Sequence, residues 1–137
     1  MIPDPRQPYS VLVSLVACIV LLLSLLIIIK EAAAKPVHWQ KATASWYGPG
    51  LFGNTLGCAG LNGISSGAKL YTHTIGVANT SLKCNQKLRL MYGKRKITVR
   101  VIDRGPFEPG RQFDLTQAVA KKLKFTGVQE IQWRKKN

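Results

Sequence analysis

KLRLMYGKRKITVRVIDRGPFEPGRQFDLT, residues 87–116, decides the fold. Leu88 and Leu90 alternate with charged residues, Tyr92-Gly93 turns the chain, and Ile97, Val99 and Val101 share one face of the returning run Lys96 to Ile102. Successive side chains of a strand point to opposite faces, so this period of two marks two half-buried strands joined as a hairpin. Asp103 stands at the tip of the second strand. Arg104-Gly105-Pro106 and Pro109-Gly110 then bend the chain twice before Asp114. The pattern predicts a helix over 115–123, with Asp114 as N-cap and Gln117 completing a capping box. Leu115, Ala118, Val119 and Leu123 make its buried stripe, and Gly127 ends it.

The flanking sequence also reads as strand. Residues 42–47 (ATASWY) form a short strand ended by Gly48-Pro49-Gly50, 75–79 a second candidate, and 128–133 a last one. Between them, 51–67 holds five glycines in seventeen residues and is expected to be a long irregular loop of the kind that carries function.

Acid is scarce. The chain carries twenty Lys plus Arg against six carboxylates, a net charge of +14, and from Pro36 onward seventeen basic residues face four acidic ones. Such a field draws polyanions of any kind: nucleic acid, acidic lipid headgroups or anionic wall polymers. The cations are spread singly except for Lys94-Arg95-Lys96 and Arg134-Lys135-Lys136, and aromatic residues are not interleaved with them. No specific nucleic-acid partner is therefore expected. Asp103 and Asp114 sit at element ends facing the glycine-rich loop, which makes them the candidate catalytic pair. An Asx turn and a helix cap are their plain structural alternatives.

At the N-terminus, 11–29 is an apolar run of nineteen residues interrupted by Ser14, Cys18 and Ser24. That is close to the roughly 20 residues that span a bilayer and longer than the roughly 7–15 apolar residues of a cleaved signal peptide. The expectation is a transmembrane signal-anchor helix, with contact to the membrane through 11–29. Cleavage at Ala32-Ala33-Ala34 is the alternative and would release a secreted domain. Residues 30–35 (KEAAAK) extend the helix as a short stalk until Pro36. The organisation is thus an anchor segment, 1–35, and a globular domain, 36–137.

Lys30, Lys35 and Lys41 outweigh Arg6 across the anchor, which by the positive-inside rule puts the domain in the cytoplasm. The cysteines argue the opposite. Cys58 and Cys84 are an even pair within the domain and are expected to form a disulfide, which belongs outside the cytoplasm in the cell envelope. Leu15-Val16-Ala17-Cys18 has the letters of a lipobox, but the longer apolar part follows Cys18 where a lipoprotein would turn polar. His38 and His73 have no ligand spacing to a cysteine, and no metal or other cofactor is predicted.

ASWYG (44–48), Gly53-Asn54-Thr55, IGVANTSLKC (75–84), VIDRGPF (101–107) and FDLT (113–116), in that order, resemble the rare lipoprotein A (RlpA) family, related to the N-terminal barrel of expansins. The resemblance covers about residues 43–133. It implies a mainly β fold, a six-stranded double-psi β-barrel with one short helix, and a protein directed to peptidoglycan or another cell-wall polysaccharide. In some members the activity is that of a lytic transglycosylase, a lyase in which one carboxyl can act as acid and then as base. Carried over, Asp103 of the DRGP motif is the acid/base and Asp114 binds or polarises the sugar. Tyr47, Trp46, Asn79 and Arg104 are assigned to substrate binding. The chain departs from the family pattern in having no acid from Ala32 to Ile102, where many members carry a loop glutamate, and in placing Asn79 where they carry a histidine. Three readings follow: a transglycosylase, an expansin-like barrel that loosens wall polymer without cutting it, and a cationic module for nucleic acid or anionic lipid.

Overall fold

The computed structural model of the chain describes residues 7–31 and 36–136, with side chains described for 11–24 in the first stretch. It divides into two units, 1–37 and 38–137. In the first, helix α1 runs Gln7–Glu31. The side chains of 11–24 are exposed along it. Among the described residues no helix is long and apolar enough to cross a membrane. The end of the stalk and the Ala32–Ala34 cleavage site lie outside the described residues.

The second unit is a closed barrel of six strands: β1 Gln40–Tyr47, β2 Val77–Ala78, β3 Lys87–Tyr92, β4 Arg95–Asp103, β5 Phe113–Thr116 and β6 Gln129–Lys135. Their order around the barrel is β1-β5-β2-β4-β3-β6, closed by antiparallel pairing of β6 with β1. The expected hairpin is β3/β4, with Leu88 opposite Val99 and Leu90 opposite Ile97. Two parallel pairings, β1 with β5 and β2 with β4, tie the ends of the chain into one surface.

The alternation read from sequence fills the barrel. Ala42, Ala44, Val77, Leu88, Leu90, Val99, Val101, Phe113, Leu115 and Ile131 are buried in one cluster. Sizes are matched across strands: Ala44 lies in register with Phe113, whose ring meets Trp133 edge-on at 5.2 Å. Helix α2, Gln117–Leu123, closes one side with Val119, Ala120 and Leu123 buried.

Asp114 is not the N-cap of that helix. FDLT is strand β5, paired on one side with β1 and on the other with β2, so its backbone groups serve two neighbours and α2 starts only after Thr116. Nor does Gly127 end the helix. Lys124 takes the left-handed conformation (φ 56°) and donates its N–H to Ala120 and Lys121 carbonyls, which turns Phe125 into the core.

The glycine-rich loop is fixed rather than loose. Leu56 and Leu70 bury themselves with Ile102, beside Tyr47, Phe52, Ile64 and Ala68, in a second small core. Cys58 and Cys84 form the expected disulfide, 26 residues apart. Thr55 and Lys69 form an isolated bridge across the loop's base.

Candidate active site

β-Sheet order brings the two aspartates together. Ala78 of β2 lies in register with Asp114 of β5 on one side and with Asp103 of β4 on the other. Their backbones are therefore two strand spacings apart, about 9.5 Å, with the small Ala78 side chain between them. Asp114 lies between the buried Phe113 and Leu115, so alternation turns it to the outer face. Ser45 and Tyr47 occupy the same outer face of β1. The result is an outer groove of about 320 Å³ lined by Tyr47, Leu51, Ala78, Asp103 and Asp114 together with the loop 104–108 and Arg111.

Asp103 is over-determined. Its Oδ1 accepts the backbone N–H of Gly57 at 2.6 Å and that of Arg104 at 2.8 Å, and its Oδ2 accepts the Tyr47 hydroxyl at 3.1 Å. Gly57 is required by close approach: a Cβ there would sit 2.8 Å from Oδ1 and 2.9 Å from the Arg104 nitrogen. The second small core holds the loop against Ile102, and Cys58 donates its N–H to the Ile102 carbonyl at 3.2 Å. Burial, and next the neighbouring Asp103 charge and hydrogen bond, push the Tyr47 phenol well above its usual range. Tyr47 is therefore a neutral hydrogen-bond donor to Asp103. Asp114 has one protein donor, the Ser45 hydroxyl.

Not every residue assigned to binding reaches the groove. Trp46 precedes Tyr47 on β1 and alternation sends it the other way, into a separate hollow beside α2. Asn79 is buried: its Oδ1 accepts the N–H groups of Ser81 and Leu82, and its amide donates to the Gln112 carbonyl. It fixes a turn and is absent from the groove lining. Arg104 lines the groove, but its guanidinium donates to the Asn79 and Leu82 carbonyls and to the Cys84 sulfur. The polar ends of both side chains satisfy buried backbone groups in this structure.

Phe107 and Glu108 are among the lining residues that sequence reasoning did not assign to the site. Phe107 is 83% exposed at the groove, and Glu108 adds a third carboxylate. The signal was present: an aromatic residue in a turn bounded by Pro106, Pro109 and Gly110 has no strand to carry it into a core. Of the four acids in this unit, three line the groove, and the fourth, Glu130, pairs with Lys41 at 2.9 Å.

Fold and groove define a double-psi β-barrel with carboxylates on its outer face. The family model described as lytic transglycolase matches residues 40–133, and the chain belongs to this RlpA-like family. It is 34% identical over 82 residues to the endolytic peptidoglycan transglycosylase RlpA of Campylobacter jejuni, covering 58% of this chain and 27% of that protein. With the probable endolytic peptidoglycan transglycosylase RlpA of Aquifex aeolicus it shares 37% identity over 96 residues, 69% of this chain and 39% of that one. The chain thus spans well under half the length of these curated relatives. Among solved structures, apo-expansin of Clavibacter michiganensis superposes with a TM-score of 0.54 at 19% identity, over 73% of this chain and 51% of that one. The Streptomyces papain inhibitor gives 0.52 at 21% identity, over 74% and 98%. At such identities the two structures speak for the fold alone.

Proposed function

We propose that the barrel is a peptidoglycan lytic transglycosylase in which Asp103 serves as acid and then as base. The observation that carries the reading is the fixing of Asp103 Oδ1 by two backbone N–H groups, which leaves Oδ2 as the oxygen that exchanges a proton. Protonated Asp103 gives that proton to the glycosidic oxygen as the C1–O bond breaks, and the bonding pair leaves with the departing sugar. The carboxylate then takes the proton of the 6-hydroxyl on the same sugar as O6 bonds to C1, and a 1,6-anhydro end forms. No water is consumed, and the proton count at Asp103 returns to its start. One carboxyl serves both steps, so no second carboxylate is needed as nucleophile. Asp114 faces the positive charge that develops at C1, neutral Tyr47 holds Oδ2 in place, and exposed Phe107 offers an apolar face to a sugar ring.

The RlpA relatives, named for action on peptidoglycan, support the choice of polymer. A second reading, binding and loosening of wall polymer without cleavage, draws on the absence of any acid from Ala32 to Ile102 in a chain whose relatives act as enzymes. Incubating the full chain with purified peptidoglycan and searching for anhydro ends by mass spectrometry separates the two. Anhydro ends that disappear in Asp103→Asn support cleavage by Asp103, and binding without such ends supports the second reading.

The same proposal puts the barrel outside the cytoplasm. Its support is the Cys58–Cys84 bridge, which persists in oxidising compartments. Protein taken from cells under acid quench should label with a thiol reagent at these two residues only after reduction.

A further inference from the structure

Beside the groove lies a hollow of different character. It measures about 430 Å³ and is lined by Trp46, Gln117, Ala120, Lys121, Lys124 and Phe125, with 126 and 127 at its edge. Trp46 shares the inner face of β1 with Ala42 and Ala44, but at the strand's end it is 40% exposed. Phe125 and Ala120 are buried and form an apolar floor. None of the lining residues carries a carboxylate, whereas three carboxylates line the groove. Lys121 and Lys124 are both exposed.

An open indole beside an apolar floor suits the C–H face of a pyranose ring. Gln117 accepts a long hydrogen bond from Thr72 on its oxygen at 3.4 Å, and its amide nitrogen can donate to a ring hydroxyl. Two lysines with no acid among the lining residues call for an anionic substituent on that ring. The volume falls within the roughly 300–1,000 Å³ of ordinary small-ligand sites.

We propose that this hollow is a second carbohydrate subsite, for a sugar that bears a carboxylate: the ring stacks on Trp46 and the carboxylate meets Lys121 and Lys124. The proposal rests on the reading of the partner as wall polysaccharide and adds to it a choice of sugar.

N-acetylmuramic acid and N-acetylglucosamine test this, because the two share a ring and differ in a lactyl carboxylate. Each is titrated into the isotopically labelled full chain and followed by NMR at the Trp46 indole N–H and the Lys121 and Lys124 amides. The acid sugar should give a saturable shift there and bind about fivefold more tightly than the neutral one, the worth of one exposed ion pair. Lys121→Gln with Lys124→Gln should bring the two sugars to parity, and Trp46→Phe should weaken both while Trp46→Ala removes both. Should a Trp46 variant fail to fold, the lysine variant decides alone. Equal affinity for the two sugars in the unaltered chain overturns the proposal, and so does a shift confined to Tyr47 and Asp103 or no saturable shift at all. Anhydro ends produced without sugar binding at Trp46 would remove this subsite and leave the cleavage reading standing. Binding at Trp46 without anhydro ends would do the reverse.

Discussion

The outer groove and the Trp46 hollow flank the same strand and are built on opposite principles. In the groove, the two aspartates are held: Asp103 receives three protein hydrogen bonds and Asp114 one, and the loop that supplies Gly57 has its own core and a disulfide beside it. In the hollow, charge is on flexible stems, and an apolar floor does the fixing. A reacting atom must be placed within a fraction of an ångström, because misplacement of about 1 Å can cost 10²-fold in rate. A gripped sugar needs only a surface and a counter-charge. The contrast assigns chemistry to the groove and retention to the hollow, and it is open to attack from either side.

The heaviest blow is Asp103→Asn. It keeps the shape and removes proton exchange at Oδ2, so release of anhydro ends should fall by about 10²–10⁴-fold, the usual worth of a general acid–base group. Mass spectrometry of digested peptidoglycan measures the fall. Sugar binding at Trp46 should be unchanged, and a parallel loss there would mean that the two concavities are one site. Next in size is removal of the bridge. Cys58→Ala with Cys84→Ala frees a loop of 26-residue separation and should cost roughly 3 kcal/mol in a denaturant melt, as reductant should for the unaltered chain. Gly57 adjoins one cysteine and Arg104 touches the other, so at temperatures below the melt activity should suffer before the hollow does.

A finer blow falls on Gly57. In Gly57→Ala the new methyl lies 2.8 Å from Asp103 Oδ1, and the carboxylate must move. Turnover should drop on the order of 10²-fold while pelleting with peptidoglycan is kept, as expected for a lost placement rather than a lost contact. Gly50→Ala, where an added Cβ meets nothing within 4 Å, is the control and should leave turnover as it was.

The two regions were not equally open to sequence reasoning. Leu88, Leu90, Val99 and Val101 alternate over a long, locally paired hairpin, so β3, β4 and the position of Asp103 at a strand tip were legible. The cysteine pair was legible from its even count. FDLT was not: four residues are too few to show a period, and the parallel neighbour that makes them a strand lies some seventy residues away on β1. Asp114 therefore passed for a helix cap. The inward hydrogen bonds of Asn79 and Arg104 were not legible either, because no local pattern shows a side chain turning to buried backbone groups. Trp46 is the clearest case. ASWYG reads as one motif, yet a strand's period of two divides it between two surfaces.

That division gives the last and smallest test, carried by Tyr47→Phe. The substitution removes the 3.1 Å hydrogen bond to Asp103 Oδ2 while Gly57 and Arg104 still hold Oδ1, so cleavage should slow by about tenfold, near the low end for a hydrogen bond to a charged group. Because the folded phenol's pKa is raised above its unfolded value near 10, Tyr47 stabilises the fold fully below about pH 10 and progressively less as pH rises past it. Denaturant midpoints measured from pH 9 to 11 should therefore fall more steeply for the unaltered chain than for Tyr47→Phe. The preference for the carboxylated sugar at Trp46, one residue away along the chain, should not move. If it does, β1 is transmitting between its faces, and the groove and the hollow have to be treated as a coupled pair rather than as neighbours that share a strand.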